Sequence, residues 1–405
     1  MISKIYRENR QYFLGGLFFV GLFFPLFGQS VNFGLHSRII SQLFLLLSVA
    51  LGLINFKITI KTLITAALIF LYVVLIMFYS QGERQLDYLL SIIIDKDDYR
   101  ASKLSLFVQT TFVPLLAGFV LSSYARDKRF LMGMTYASLA MSLVAIFVGL
   151  KYSHYWFGGG YQVSAEWKES AVFSSISMTI LHLAGFIAAL EYSRSSKSKK
   201  FLLVFALMNF VFIVIYQQRT AWVYVVFVVV YTSFRREYRA NIWRSGFKFC
   251  VVLALIAIAI YIMGRLGFLN ERLLKYASQM NSLDLFASRS NYFEFAWQGF
   301  LDTPMGHGWG EYSVNGPFRY PHNVILEALY ELGVIGGSII IALLAMMALS
   351  VKGLLSTRFG NSTVGLTMGL LFGYLLVFAL KAGDLNSLNI QLALALLFAN
   401  YRRVL

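Results

Sequence analysis

The chain has a single cysteine, Cys250, in 405 residues, which excludes an intrachain disulfide and a cysteine-based metal centre. Cys250 falls inside an apolar run, a setting that does not activate a thiol nucleophile. Histidine is nearly as scarce: five residues are scattered along the chain, with no HExxH pair and no carboxylates at ligand spacing, so neither a metal nor another cofactor is expected. Charge is also sparse, at 13% of residues against about 25% in ordinary globular domains. What fills the chain instead is apolar. At 58% hydrophobic and a mean hydropathy of +0.67, it lies outside the range of soluble proteins and reads as a polytopic membrane protein.

Apolar runs long enough to cross, or nearly cross, a bilayer recur at 12–27, 39–55, 62–79, 104–124, 130–150, 171–190, 201–216, 221–234, 247–263, 334–351, 364–381 and 385–400. The expected fold is therefore all-α, with about twelve transmembrane helices. With both termini inside, the inside segments hold 21 of the 35 basic residues and, of the 19 acidic ones, only Glu8, Asp127, Glu191 and Glu237. That asymmetry is the positive-inside pattern, and it accounts for the net charge of +16 without a nucleic-acid partner. The basic runs 191–200 and 235–244 are read as cytoplasmic anchors, and the first span as retained in the membrane.

The outside segment 264–333 divides the chain into a membrane domain (1–263), a small helical periplasmic subdomain (264–333) and a second membrane domain (334–405). Within the subdomain, 270–280 and 288–302 have the spacing of amphipathic helices, with Ser288 a candidate N-cap. TPMGHGWGEY (303–312) is a glycine-rich turn. In HNVILEALYELG (322–333) the residues Asn323, Glu327 and Glu331 recur every fourth position. They form one polar stripe on an apolar helix, expected to face a cavity. Gly333 is placed to end that helix and turn the chain into the next span.

Several polar residues carry two readings each. Arg219, in the four-residue connection QQRT (217–220), is either functional or an arginine snorkelling to lipid phosphates. Arg289 is either a solvated surface charge or an anion ligand. His322 is either a helix-capping residue, a part Asn323 can also play, or a proton acceptor. His182, in mid-span, reads as a helix–helix contact. His307 reads as a turn residue in a loop that lacks the lysine of a P-loop, although its glycines can bring backbone amides to a sugar or phosphate. Arg265, Arg319 and Trp309 are outside-facing candidates for substrate contact.

The pattern HNVILEALYELGVIG, with His322, Asn323, Gly333 and Gly336 in register, resembles the signature of the O-antigen ligase and O-antigen polymerase superfamily. The upstream stretch 288–312 and QQRTAWV (217–223) are similar to the arginine motifs that precede it in that family. The resemblance implies a membrane glycosyltransferase (GT-C-like) architecture in a bacterial inner membrane, with inverting, metal-independent transfer at the periplasmic face. Its donor is an undecaprenyl-diphosphate-linked oligosaccharide. It further implies His322 as base, Arg219 and Arg289 as the diphosphate clamp, and Asn323 or Glu327 as orienting groups. The acceptor is the next lipid-linked repeat unit in a polymerase or lipid A-core in a ligase, and a chain-length regulator is a possible partner. The compact segment between Arg289 and His322 favours the polymerase. A lipid-linked oligosaccharide flippase is the reading from a different class; spans nearly free of charge speak against it.

Overall fold

The computed structural model describes residues 2–28, 34–80, 99–151, 175–193, 197–215, 219–237, 287–318, 320–356, 363–383 and 385–401. Among these residues there is no strand, and the helices, apart from the single turn Pro25–Gly28, are α1 (Ile2–Phe23), α2 (Gly34–Gly52), α3 (Ile60–Tyr79), α4 (Tyr99–Leu121), α5 (Lys128–Lys151), α6 (Ser175–Ser193), α7 (Lys199–Ile215), α8 (Arg219–Glu237), α9 (Ala287–Asp302), α10 (Glu311–Asn315), α11 (Val324–Leu355), α12 (Thr363–Ala382) and α13 (Asn389–Leu397). The protein is an all-α membrane protein. The expected span 247–263, with Cys250, and the expected helix 270–280 lie outside the described residues; every other expected span falls on a helix listed above.

α3, α5, α11 and residues Thr363–Lys381 of α12 are each long and apolar enough to cross a membrane. α3 shows how. Its N-cap Thr59 accepts from the Thr62 amide, and its twenty residues extend about 30 Å at 1.5 Å per residue. One stripe, Thr62, Thr65, Ile69, Tyr72 and Ile76, is buried, while Leu63, Phe70, Val74 and Phe78 on the other faces are exposed. The hydroxyls thus point into protein and the hydrocarbon points outward, as a bilayer requires.

The last expected span, 385–400, is a different object. It consists of a 3-10 turn (Leu385–Leu388), the nine-residue α13 and a second 3-10 turn (Ala399–Tyr401), and Gln391–Leu397 are all buried. A helix apolar on every side can be surrounded by lipid or by protein; here it is surrounded by protein.

The chain forms two compact units. One comprises Met1–Leu22, Arg38–Met134 and Phe286–Leu405, the other Phe23–Ser37 and Thr135–Leu285. In the second, α6 crosses α5 where Gly185 faces Ser142. His182 makes the helix–helix contact read from the sequence: its Nδ1 lies 2.9 Å from Asn209 Oδ1 on α7, and its ring stacks on Phe212.

In the first unit α4 packs against α13. Pro114 within α4 has no N–H, which leaves the Thr110 carbonyl one turn earlier without its helical donor. Asn389, at the start of α13, supplies one, its Nδ2 donating to Thr110 O at 3.1 Å. One turn after the proline the two backbones come so close that a Cβ on Gly118 would stand 2.3 Å from the Ala393 carbonyl oxygen. Gly118→Val is therefore expected to cost about 1–3 kcal/mol through forced separation of α4 and α13, read as a lowered melting temperature of the purified protein in detergent.

Candidate active site

Two of the sequence motifs, 288–312 and the one that starts at His322, meet in the first unit, where α11 is interrupted. Gly333 has φ 66° and ψ −163°, non-helical values inside an otherwise continuous helix, so the expected turn at Gly333 is present as a kink. A break of this kind strands backbone groups that must find partners elsewhere. The glycine-rich loop after α9 provides them. His307 N donates to Tyr330 O and Gly308 N to Glu331 O, each at 2.9 Å, while Val334 N, freed from the helix, donates to Pro304 O at 2.9 Å.

This exchange requires backbones in direct contact. A Cβ on Gly306 (φ 95°) would lie 2.6 Å from Gly333 N, and one on Gly333 would lie 2.3 Å from the Met305 carbonyl carbon. Only glycine fits at either place, for space and for the sign of φ. Loop and kink are thus one device. Tyr79, at the end of α3, braces it by donating its hydroxyl to Met305 O and by accepting from Trp309 N at 3.1 Å.

Beneath the loop lies a buried charge cluster. Lys103 Nζ sits 2.6 Å from Glu327 Oε1 and 2.7 Å from both oxygens of Glu331, all three side chains being fully buried. Trp309 lies under the ammonium at 4.5 Å and meets Phe107 edge-on. The second Glu327 oxygen accepts from the Leu385 amide at 3.0 Å, and Glu331 accepts from the backbone of Gly310 and Tyr312. Two carboxylates around one cation are tolerable here because backbone donors take the remaining lone pairs.

Two expectations are corrected by this cluster. The stripe of Glu327 and Glu331 faces Lys103 and not a cavity, because a buried ammonium one helix away offers a better partner than water. Trp309, read as facing outward, is 1% exposed, drawn in by the same cation. The sequence reading missed Lys103 altogether. Its signal was a lone lysine opening an apolar run, the position where a cation is most costly without a partner.

Asn323 is the N-cap of α11: its Oδ1 accepts from the amides of Ile325 (2.9 Å) and Leu326 (3.2 Å), so the capping part is taken by Asn323. Ser288, by contrast, lies inside the first turn of α9, which begins at Ala287.

His322 precedes that cap with φ 60°, the one positive value at a non-glycine residue among the described residues. Such a backbone costs on the order of 1–3 kcal/mol and persists only where its surroundings enforce it. Around the ring stand Tyr320 at 4.5 Å, Phe318 stacked at 5.1 Å and Tyr292 at 6.2 Å. Tyr292 connects this group to the core of α9, α10 and α11, since its carbonyl accepts from the Tyr312 hydroxyl at 3.2 Å. Tyr312 in turn packs with Phe295, Tyr330 and Ala296. Burial, and next the Glu327 carboxylate, hold the Tyr312 phenol above its ordinary range, so it remains a donor.

Arg289 belongs to the first turn of α9 in this unit, and Arg219 opens α8 in the other. Arg265 and Arg319 lie outside the described residues.

A kinked apolar helix, buried counter-charges beneath it and a constrained histidine at its head define a polytopic membrane protein with a polar site built on membrane helices. Residues 201–341 match the family model described as O-antigen ligase. Over that segment the chain is similar to the O-antigen ligase and polymerase superfamily, and the match supports ligase- or polymerase-type function in general. Comparison with curated proteins finds no match.

Proposed function

We propose that the protein is an O-antigen-type polysaccharide polymerase of the bacterial inner membrane. It transfers a glycan from undecaprenyl diphosphate to the next lipid-linked repeat unit at the periplasmic face. The observation that carries this reading is His322: a histidine held at φ 60° inside an aromatic enclosure, with the helix cap taken by its neighbour Asn323. An imidazole at this place is chemically suited to proton transfer near neutral pH.

In this reading the acceptor hydroxyl oxygen attacks the anomeric carbon from the face opposite the diphosphate, and its proton passes to His322. The bond to the leaving oxygen breaks with its electron pair remaining on the diphosphate. Arg219 and Arg289 offset that charge, the part a metal ion plays in other transferases. Glu327 and Asn323 act indirectly, by fixing the helix that presents His322. Arg265 and Arg319 are retained as glycan contacts, whereas Trp309 supports the loop from within.

The description of the matched family as O-antigen ligase favours a second reading, transfer of the same donor to lipid A-core. Reconstitution with a synthetic undecaprenyl-diphosphate repeat unit separates the two. A ladder of longer lipid-linked products is expected from the protein alone. Transfer only after lipid A-core is supplied would make it a ligase, and no transfer in either assay would return the flippase reading. A chain-length regulator, if one acts, would shift the length of the ladder without being needed for its formation.

A further inference from the structure

His307 is the second histidine near the kink, and its ring is fixed from three sides. Its Nε2 lies 2.9 Å from the Gly299 carbonyl oxygen, its plane stacks on Tyr330 at 4.4 Å and 23°, and its own amide donates to Tyr330 O. A carbonyl only accepts, so Nε2 carries a hydrogen, and in the neutral ring Nδ1 is then a bare acceptor. Nδ1 has no hydrogen-bond partner among the described residues, and the His307 side chain is only partly buried. A turn residue has no need of this arrangement. The orientation of the ring is over-determined, its tautomer is set, and the one nitrogen left over is accessible.

We infer that His307 is a glycan-binding residue whose Nδ1 accepts a hydrogen bond from a sugar hydroxyl. The inference rests on the transferase reading above and deepens it by naming a contact to the glycan. The chemistry of the nitrogen selects the ligand: a bare acceptor is matched by a hydroxyl donor and repels the oxygens of a diphosphate. Its place also fits. The loop carrying His307 is clipped to the kink of α11, and Tyr330 beneath it packs on Phe295 and Tyr312. Tyr312 bonds to Tyr292, against which His322 stands. The two imidazoles thus stand on two aromatic groups joined by the hydrogen bond from the Tyr312 hydroxyl to the Tyr292 carbonyl.

Two substitutions separate the nitrogens. In His307→Gln the side-chain amide can still donate to Gly299 O, but nothing occupies the Nδ1 position. In His307→Asn the reverse holds, with a polar atom near Nδ1 and none reaching Gly299. The assay couples a long-chain lipid-diphosphate donor to a short-chain fluorescent acceptor, each prepared also as a set of singly deoxygenated sugars. With wild type, removal of one particular hydroxyl is expected to raise KM roughly tenfold, the scale of one hydrogen bond. In His307→Gln that penalty should vanish, the parent substrate now binding as weakly as the deoxy one, whereas His307→Asn should retain it.

Whether the sensitive hydroxyl lies on the donor or the acceptor set assigns the bound glycan. His307→Gln matching wild type on the parent substrates, or a hydroxyl penalty identical in both proteins, would overturn the inference while leaving the transferase reading intact. So would a rise in the inhibition constant of inorganic diphosphate in His307→Gln with sugar sensitivity unchanged, since that would make the ligand phosphate. Absence of coupling by wild type with every donor and acceptor would remove the reaction itself, and the inference with it.

Discussion

Lys103→Met is expected to lower folding stability by about 3–5 kcal/mol, the scale of breaking a buried ion pair from one side. Lys103 is the cation for two fully buried carboxylates, at 2.6 Å from Glu327 and 2.7 Å from Glu331. Methionine fills much of the same volume, so the loss arises from charge and not from a cavity. The backbone amide of Leu385 softens the penalty at Glu327 without removing it. The measurement is thermal unfolding of the purified protein in detergent, followed by circular dichroism.

Lys103→Met combined with Glu327→Gln and Glu331→Gln discriminates the cause. Neutralising the whole cluster removes the stranded charges, whose uncompensated burial is the main cost of breaking a buried pair from one side. The triple variant is thus expected to recover most of the stability lost in the single one. A triple variant as unstable as Lys103→Met would show that Lys103 acts through its packing on Trp309. Transfer activity should follow stability only in part: α11 would regain its place, but the glutamine amides would hold the Gly310–Tyr312 backbone more weakly than carboxylates do.

The sequence makes the helices legible, and some joints between them, because both leave marks at short range. Apolar run length marks the spans, and a glycine between HNVILEALYEL and VIGG marks the kink at Gly333. The pairing of that kink with the Gly306–Gly308 loop is not legible. It depends on three hydrogen bonds between segments more than twenty residues apart, and glycine spacing carries no partner information. Lys103 escapes for the same reason: its carboxylates lie 224 and 228 residues away. The nature of 385–400 is hidden for another cause, since hydropathy does not distinguish a helix wrapped by lipid from one wrapped by protein. At His322 local reasoning is divided between capping and chemistry. The structure assigns the cap to Asn323, which the two adjacent polar residues alone leave open.

His322→Ala is expected to reduce transfer by about 10²–10⁴-fold, the usual contribution of a positioned acid–base group. Alanine removes two things at once, the imidazole and a residue that holds φ 60° against its own preference. An L-residue at that angle is strained whichever side chain it carries, so the loss of activity in His322→Ala could come from backbone relaxation. His322→Gly separates the terms, because glycine adopts positive φ without strain. If the imidazole accepts the proton, glycine and alanine variants should be inactive to the same degree, while His322→Gly is at least as stable as His322→Ala. Activity of the glycine variant near wild type would instead make His322 a turn residue whose conformation, and not its chemistry, is what the site uses. Rescue of His322→Gly by added imidazole, where the enclosure of Tyr292, Phe318 and Tyr320 can receive the free ring, would return the proton transfer to the group that the substitution removed.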